Sequence, residues 1–331
     1  MRPVILAAAA AALFAASAWA VDAVLVSKPD AFPTLVNPAC SHCKDEAKRR
    51  SDLTEFDRVL AWTRGPQEGG AIPLRFFLNP HRVISDSHGV FVYDPDAGYA
   101  RGFEPSPDFR FHGWRNGVMV MKHADGTLYA CLSGLAFDGP RKGTRLKTIP
   151  TVMTDWGPWL KQYPNAVAYQ MGPQFKPTDL PFKPNPASVQ TRGPADQRMA
   201  PDAFVLGIWD GHTASAWKLN TRPKDGADTR NVDGKILIWN GATFTATAYK
   251  PTATASDGSG ARAVSLRKIT WDPRAAAPAA PFKDDETGSQ WDVTGRCVDG
   301  QLKGSMLEPV DAVQVKWFAW AAEYPTTKII D

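Results

Sequence analysis

Short runs of apolar and β-branched residues, bounded by Gly, Pro, Asn and Asp, follow one another between residues 55 and 133. Such runs are typical of β-strands, and they predict strands at Val59 to Thr63, Ile72 to Leu78 and Val90 to Tyr93. Asn116-Gly117 separates two alternating runs, which is a strong signal for a two-residue hairpin turn. The pattern therefore predicts an antiparallel meander in this part of the chain.

The apolar spacing changes to that of a helix after this meander. The stripe Trp156, Trp159, Leu160 and Tyr163 has the spacing i, i+3, i+4 and i+7. Residues at this spacing share one face of a helix. We therefore predict a short helix from Thr154 to Tyr163, with its aromatic face packed on a sheet. The same stripe recurs at Trp317, Trp320, Ala321 and Tyr324.

The chain repeats one stretch of its sequence. Gly134 to Pro164 aligns without a gap to Gly295 to Pro325, 161 positions later. The recurring pairs include Gly134/Gly295, Asp138/Asp299, Gly139/Gly300, Lys142/Lys303, Gly143/Gly304, Leu146/Leu307, Trp156/Trp317, Trp159/Trp320, Tyr163/Tyr324 and Pro164/Pro325. Glycine, proline and tryptophan are mainly turn-forming and core residues, so the repeat indicates architecture more than chemistry. It predicts an α+β fold, predominantly antiparallel β, with two tandem copies of one β-rich module that each end in a short aromatic helix.

The first residues have the pattern of a secretory signal peptide. Arg2 precedes an apolar run from Val4 to Ala16, and Ala18-Trp19-Ala20 fits a cleavage site. The run is too short to span a bilayer. We expect cleavage near Ala20 and an exported protein, periplasmic or extracellular, with no integral membrane segment.

The same patterns divide the rest of the chain. The predicted segments are a signal peptide at 1–20, an N-terminal arm at 21–54, a first module at 55–171, a Pro-rich linker at 172–202 and a second module at 203–331. Proline-rich linkers are extended and semi-rigid, so we expect residues 172–202 to connect the modules without joining a core.

Charge and motifs exclude some classes of protein. The formal net charge is +4 without a clustered basic stripe, so we expect no nucleic-acid partner. The basic and aromatic alternation from Phe109 to Arg115 is what a half-buried strand also shows. The sequence contains no nucleophile elbow, no H-E-x-x-H motif and no dinucleotide fingerprint.

Four cysteines leave three disulfide pairings open, and reduced metal-binding thiols are a further alternative. Cys40 and Cys43 form a C-x-x-C motif in the arm. The motif is compatible with a structural disulfide, with a metal site that includes His42, or with redox catalysis. Cys131 and Cys297 have no partner that the sequence can assign.

Potential metal ligands and proton-transfer groups concentrate in the arm and the first module. The candidate metal or redox residues are Cys40, His42, Cys43, His81, His88 and His112, with copper, zinc or iron as the candidate cofactor. Solvated loop histidines would explain the same distribution without a site.

A basic loop in the first copy is a candidate anion site. Arg141, Thr144 and Arg145 lie beside glycines, and the second copy keeps neither arginine. Guanidinium groups and backbone N–H groups can hold an anion there. The alternative is an arginine packed on an aromatic ring or paired with an aspartate.

The repeated stretch resembles a bacterial family known as domain of unknown function 3179. The resemblance lies in ADGTLYACLSGLAFDGPRKGTRLKTIPTVMTDWGPWLKQYP and its copy ETGSQWDVTGRCVDGQLKGSMLEPVDAVQVKWFAWAAEYP, and extends over most of Val59 to Ile330. Many family members carry Cys-Pro-x-Cys where this chain has Asn240 to Thr243. The first copy has Asp94-Pro95-Asp96 at the equivalent place. The resemblance implies no known activity.

Three functions remain open from the sequence. The first is an exported binding or scaffold protein with an extracellular ligand or protein partner. The second is an exported metal-binding or redox protein that uses the Cys40/Cys43 arm and the first-module histidines. The third is a hydrolase or lyase that acts on an anionic extracellular substrate. The sequence does not decide whether the protein is an enzyme.

Overall fold

A computed structural model provides the structure of the chain. It describes residues 24–36, 43–44, 53–63, 69–77, 81–169, 183–224, 226–256, 261–265, 269–271 and 280–331. The predicted signal peptide and the candidate residues Cys40 and His42 lie outside the described residues. No helix in the described ranges is both long and apolar enough to cross a membrane.

The described chain is mostly antiparallel β-sheet with a few short helices, as predicted. In what we call the first half, the strands are β1 (Leu25–Ser27), β2 (Leu35–Val36), β3 (Cys43–Lys44), β4 (Arg58–Thr63), β5 (Gly69–Pro73), β6 (Val83–Ser85), β7 (Val90–Asp94), β8 (Tyr99–Phe103), β9 (Arg110–Arg115), β10 (Val118–Lys122), β11 (Leu128–Ala130), β12 (Ala136–Asp138), β13 (Thr148–Ile149), β14 (Val152–Asp155) and β15 (Val167–Tyr169). Its helices are α1 (Leu74–Phe77) and α2 (Trp156–Gln162), and helix α3 (Pro186–Gln190) follows it.

In what we call the second half, the strands are β16 (Phe204–Trp209), β17 (Ala214–Lys218), β18 (Ala227–Val232), β19 (Lys235–Asn240), β20 (Thr245–Ser256), β21 (Ala261–Ser265), β22 (Ile269–Trp271), β23 (Phe282–Asp284), β24 (Gln290–Trp291), β25 (Cys297–Asp299), β26 (Met306–Pro309), β27 (Asp311–Lys316) and β28 (Lys328–Ile330). Its helix is α4 (Trp317–Glu323).

The strand orders of the two halves correspond. In the first half the sheets run β14-β4-β5-β15-β3, β13-β8-β7-β6-β2 and β1-β9-β10-β11-β12. In the second half they run β27-β16-β17-β28, β18-β19-β20-β21 with β26 also on β20, and β22-β23-β24-β25. The strand that follows the aromatic helix pairs in parallel in both halves, β15 with β5 and β28 with β17. The N-terminal strands β1, β2 and β3 add to the edges of the three first-half sheets.

The two aromatic helices begin and end in the same way. Each follows a strand directly, and each is closed by a tyrosine N–H that donates to the tryptophan carbonyl four residues earlier, Tyr163 to Trp159 and Tyr324 to Trp320. The first helix begins at Trp156 rather than at Thr154, because Thr154 pairs with Val59 in the ladder of β14 and β4. The tryptophans pack closely over glycines. A Cβ on Gly207 would lie 2.3 Å from the ring of Trp320.

The hairpin predicted at Asn116-Gly117 is confirmed. It joins β9 to β10, and both residues have positive φ angles, 56° and 74°. A type I′ turn needs positive φ at both central positions, which Asn and Gly adopt at low cost.

Two predicted elements differ in the structure. The strand predicted from Ile72 to Leu78 ends at Pro73, because proline has no N–H for a ladder, and Leu74–Phe77 form helix α1. The expected extended linker contains helix α3 in its described part. Asn185 caps this helix and Pro186 is its first residue, a position where proline favours a helix. Ala187 packs into the core, so this part of the linker is structural.

The largest buried cluster crosses from one half to the other. It combines Trp114 and Cys131 of the first half with Trp317 and Trp320 of helix α4. Strand β27 also packs against β8, and β14 packs against β20. The halves therefore contact each other through β14 and β27, and helix α4 shares a core with the first half.

Candidate functional site

A cavity of about 340 Å³ lies where the two halves meet. Its first-half wall includes Trp62, Ile149 and Trp159, and its second-half wall includes Tyr249, Leu307 and Val310. Cavities that bind small molecules are commonly of this size and mostly apolar, with a few polar groups. The cavity between the halves is therefore a candidate binding site.

An ion pair between the halves forms part of the cavity wall. Arg101 on β8 is 4% exposed, and its guanidinium donates to the carbonyl of Leu132 and to the carboxylate of Asp311 on β27. Arg101 Nε is buried and has no hydrogen-bond partner among the described residues. A buried charge needs such partners, so Asp311 fixes the side chain of Arg101 at the boundary between the halves.

The two equivalent tryptophans differ in hydrogen bonding. Trp320 Nε1 donates to Thr327 Oγ1 at 3.0 Å. Ala166 stands at the position equivalent to Thr327, and both residues donate their backbone N–H to the tyrosine carbonyl three residues earlier. Trp159 is 1% exposed, lines the cavity and has no partner for its Nε1–H in the described structure.

Two further pairs of equivalent residues near these tryptophans differ in side-chain size. Ladder pairing places Ala61 opposite Val152 and Gly207 opposite Val313, so Thr63 on β4 is equivalent to Trp209 on β16. Met306 is equivalent to Arg145 in the ungapped repeat. Thr63 and Met306 both line the cavity.

The equivalent residues, Trp209 and Arg145, fill the corresponding region beside helix α4. The ring of Trp209 stacks on Tyr324 with centroids 5.4 Å apart, and the guanidinium of Arg145 lies 4.9 Å from the centre of the Trp209 ring. Arg145 also donates to Ser133 O at 2.7 Å and to Tyr324 Oη at 2.8 Å. The cavity thus occurs where a threonine and a methionine replace a stacked Trp–Arg pair.

The predicted basic loop is held by intramolecular contacts. Arg141 Nε lies 2.6 Å from Asp125 Oδ2, and Thr144 Oγ1 donates to Arg141 O at 2.8 Å. With Arg145 packed against Trp209 and Tyr324, the arrangement matches the alternative interpretation of the loop, an arginine on an aromatic ring or beside an aspartate.

A buried carboxylate lies beneath the cavity in the second half. Asp292 Oδ1 accepts from the backbone N–H and hydroxyl of Thr294, whereas Oδ2 has no partner among the described residues. Burial raises the pKa of Asp292 to about 6. Thr294 lines the cavity and also contacts Tyr163 of helix α2, at 3.2 Å between the hydroxyl oxygens.

The candidate histidines lie in separate environments. His81 is buried, with Nδ1 2.8 Å from the carbonyl of Pro33, and burial lowers its pKa. His112 lines a second cavity beneath Pro29–Thr34, and its pKa is lowered by burial and by Lys122. His88 belongs to neither place. The described contacts therefore do not join these three histidines into one site.

His88 belongs to a small polar cluster at the edge of the first half. Its Nδ1 lies 3.6 Å from Asp86 Oδ1 and 3.4 Å from Tyr169 Oη, and the hydroxyl of Tyr169 also donates to Asp86. Strand β3 pairs with β15 so that Cys43 is opposite Tyr169. The backbone of Cys43, the second cysteine of the C-x-x-C motif, thus lies beside this cluster.

Two carboxylates of the β7–β8 turn are buried. Asp94 accepts the backbone N–H groups of Asp96, Ala97 and Met119, which fixes the turn. Burial, together with the nearby Asp96, raises the pKa of Asp94 to about 7. Burial lowers the pKa of the neighbouring Arg82 to about 10.

The remaining cysteines are free thiols in two different cores. Cys131 is buried with Trp114, and Cys297 is buried with Trp291. Burial raises the pKa of Cys131 well above its ordinary value and that of Cys297 to about 11. Neither thiol is activated for chemistry. Within the described ranges, no group of three or more His, Cys, Asp and Glu side chains could hold a metal ion.

Sequence patterns did not identify Arg101, Asp311 or the unpaired N–H of Trp159. Arg101 and Asp311 lie in different halves, and no local motif joins them. One signal was available in the repeat itself, since Ala166 replaces the residue that bonds the second tryptophan.

Comparison with known families identifies the chain as a member of one family. A family model described as "Protein of unknown function (DUF3179)" matches residues 29–327, nearly the whole chain, so the protein belongs to this family. No curated protein and no solved structure matches the chain. The resemblance expected from the repeated motif is confirmed.

Proposed function

We propose that the protein is an exported binding protein that holds a small ligand in the cavity between its two halves. The observation that carries this function is the replacement of Trp209 and Arg145 by Thr63 and Met306. The first pair fills its region, whereas the second pair lines an open cavity of about 340 Å³. An open, partly apolar cavity whose counterpart is filled supports a ligand site at this place.

The proposal includes the duplication and the export of the chain. Corresponding strand orders and identical closure of α2 and α4 support two copies of one module, at 55–171 and 203–331. Contacts of β27 with β8 and of β14 with β20 support a function of the two copies as one unit. The signal-peptide pattern at 1–20 supports export to the periplasm or the cell exterior.

A cavity-filling double variant tests the binding function. Thr63→Trp with Met306→Arg recreates the filled arrangement of the second half, and Thr326→Trp, at an exposed threonine away from the cavity, serves as the control. We expect small molecules that raise the Tm of the wild type and the control to leave the double variant unchanged. The binding function would be wrong if no compound of a broad library raised the Tm, or if the double variant responded like the wild type.

A metal or redox site in the arm is a second candidate function. The pairing of Cys43 with Tyr169, which contacts Asp86 and lies near His88, favours it over the other histidine combinations. We propose that Cys40, His42 and Cys43 act with His88, whereas His81 and His112 are structural. Elemental analysis should find copper, zinc or iron in the wild type and in His112→Ala. The metal should be absent from Cys40→Ser/Cys43→Ser and reduced in His88→Ala, and metal-free wild-type protein would exclude this function.

The geometry gives less support to a hydrolase or lyase. That function needed His81, His88 or His112 close to Arg145. The described hydrogen bonds of Arg145 go instead to Ser133 and Tyr324.

A further inference from the structure

The second cavity, beneath the segment Pro29–Thr34, has a volume of about 590 Å³. The segment that covers it is held at both ends. Just before the segment, Lys28 donates its backbone N–H to His112 O at 2.8 Å. At the end of the segment, Thr34 Oγ1 accepts the backbone N–H of Phe111 at 2.8 Å. The second cavity therefore has a fixed cover and a size that is common for small-molecule sites.

Two basic side chains lie next to each other in the wall of the second cavity. Arg110 on β9 is the direct ladder partner of Lys122 on β10, so both side chains leave the same face of the sheet. Both line the cavity, and neither forms an ion pair within the described residues. Like charges directly opposite each other destabilise a pair of strands. A negatively charged group bound between the two side chains would offset this repulsion.

The second half does not repeat this pair of basic residues. The ladders that lead from the recurring pair Asp138/Asp299 make Lys122 equivalent to Lys283. The ladder partner of Lys283 is Thr270, so no like-charge pair forms there. The fold therefore does not require an arginine opposite this lysine, and the arginine occurs in the half that carries the covering segment.

Two acidic side chains line the same cavity. Asp30 belongs to the covering segment, and Asp108 precedes β9. Both residues are exposed, and neither pairs with Arg110 or Lys122 in the described structure. Unpaired charges of both signs therefore line one cavity, with a negative charge on its cover.

The two histidines of the wall do not change this balance of charge. Burial, together with the nearby Lys122, lowers the pKa of His112, so its imidazole is neutral at pH 7. His123 packs its ring on Phe109, and its Nδ1 lies 3.1 Å from Asp125 Oδ1.

The rest of the wall is apolar. Phe32 of the covering segment packs edge to face on Phe111, with ring centroids 5.1 Å apart. Pro29, Pro33 and Ala124 extend this surface. An apolar group of a ligand gains free energy when it leaves water for such a surface.

From these features we propose that the second cavity binds a free α-amino acid with an apolar side chain. The carboxylate of the amino acid binds between Arg110 and Lys122. Its ammonium group pairs with Asp30, and its side chain packs against Phe32. Each charge of the zwitterion meets an unpaired group of opposite sign, which offsets the cost of removing it from water. The site is separate from the cavity between the halves and does not depend on the function proposed there.

Three matched probes test the ligand class by isothermal titration. L-phenylalanine carries both charges, N-acetyl-L-phenylalanine lacks the ammonium group, and L-phenylalanine methyl ester lacks the carboxylate. We expect phenylalanine to bind about tenfold more tightly than either derivative, because each derivative leaves charged groups of the wall without a partner.

A substitution taken from the second half tests the carboxylate contact. Arg110→Thr introduces the residue found opposite Lys283, so phenylalanine should bind about fivefold more weakly, with Lys122 remaining, whereas the methyl ester should not lose affinity. Arg115→Thr is the matched control. Arg115 lies at the other end of β9, with its guanidinium 4.6 Å from the centre of the Phe137 ring, and the affinity for phenylalanine should be retained.

Asp30→Asn tests the ammonium contact. Phenylalanine should bind about fivefold more weakly, with Asp108 remaining. N-acetylphenylalanine should bind more tightly than to the wild type, because a negative charge has been removed from the wall. A distorted cavity would weaken both ligands, so an equal loss for both would contradict the contact with Asp30.

The remaining outcomes decide the site itself. The proposal is overturned if phenylalanine does not bind, or if either derivative binds as tightly as phenylalanine. Thr63→Trp/Met306→Arg, which fills the cavity between the halves, should leave the binding of phenylalanine unchanged. If this variant lost the binding, the amino acid would belong to the cavity between the halves, and the second site would be wrong while the proposed function stood.

Discussion

The regions around helices α2 and α4 share a backbone design but differ in what fills them. Around α4, Trp320 is hydrogen-bonded to Thr327 and Trp209 stacks on Tyr324. Around α2, Ala166 and Thr63 occupy the equivalent places, Trp159 has an unused N–H, and a cavity opens. The residues that recur in the chain account for the fold, whereas the proposed site lies where the two regions differ.

The two regions are also joined to each other. Tyr163 at the end of α2 contacts Thr294 of the second half, and Arg145 of the first half donates to Tyr324 at the end of α4. The end of each helix therefore contacts the opposite half. If the halves were independent domains, substitutions at this boundary would have little effect on the free energy of unfolding.

The largest expected effect follows from breaking the ion pair between the halves. Asp311→Ala leaves Arg101 buried without its carboxylate, and such a change should lower the free energy of unfolding by about 4 kcal/mol. Urea denaturation measures this. The control is Glu308→Ala, which breaks the exposed ion pair with Lys250 and should cost less than about 1 kcal/mol. Equal effects of the two substitutions would mean that the Arg101–Asp311 pair does not hold the halves together.

An intermediate effect is expected from exchanging residues between the filled and the open region. Trp209→Thr removes a ring stacked on Tyr324 and should destabilise the protein by about 2 kcal/mol, less than for a fully buried tryptophan because Trp209 is half-buried. Thr63→Trp enters an open cavity and should change the stability by less than about 1 kcal/mol. Thermal and urea unfolding of both variants provide the comparison. A large loss of stability in Thr63→Trp would show that the space beside Thr63 is already filled.

The smallest expected effect concerns pH and the turn that carries Asp292. Burial raises the pKa of Asp292 to about 6 in the folded protein. Between the ordinary pKa of an aspartate and pH 6, the folded protein therefore keeps a proton that the unfolded chain has lost. Stability from this group is therefore fully present below the unfolded pKa and is lost as the pH rises through about 6. Between pH 5 and 7.5 the loss should be about 1.4 kcal/mol.

Asp292→Asn should remove this part of the pH dependence, measured as the difference in unfolding free energy between the two pH values. Asp299→Asn, at an exposed aspartate of the same segment, should keep it. An unchanged pH dependence in Asp292→Asn would assign the titration to another carboxyl, such as Asp94.

Local patterns in the sequence predicted much of the secondary structure. The aromatic stripe from Trp156 to Tyr163 predicted a helix, and Asn116-Gly117 predicted a hairpin, because both signals depend only on neighbouring residues. Residue spacing shows that a face is buried but not which sheet covers it. For this reason the packing of α4 on the first half was not predicted.

The cavity was not predictable for a related reason. The equivalence of Thr63 with Trp209 lies upstream of the ungapped repeat, and the ladder registers of β4 and β16 establish it. The candidate histidines were chosen by residue type, and residue type does not determine which loops meet. The anion loop was predicted with two alternatives, and the contacts of Arg141 and Arg145 match the intramolecular one.

The most direct test of the binding function is a crystal structure of the protein with a brominated compound that raises its Tm, because the bromine gives anomalous signal. We predict anomalous density inside the cavity between Trp62 and Leu307. A well-ordered structure in which the compound occupies only other sites, while the cavity contains solvent or protein side chains, would contradict the proposed site.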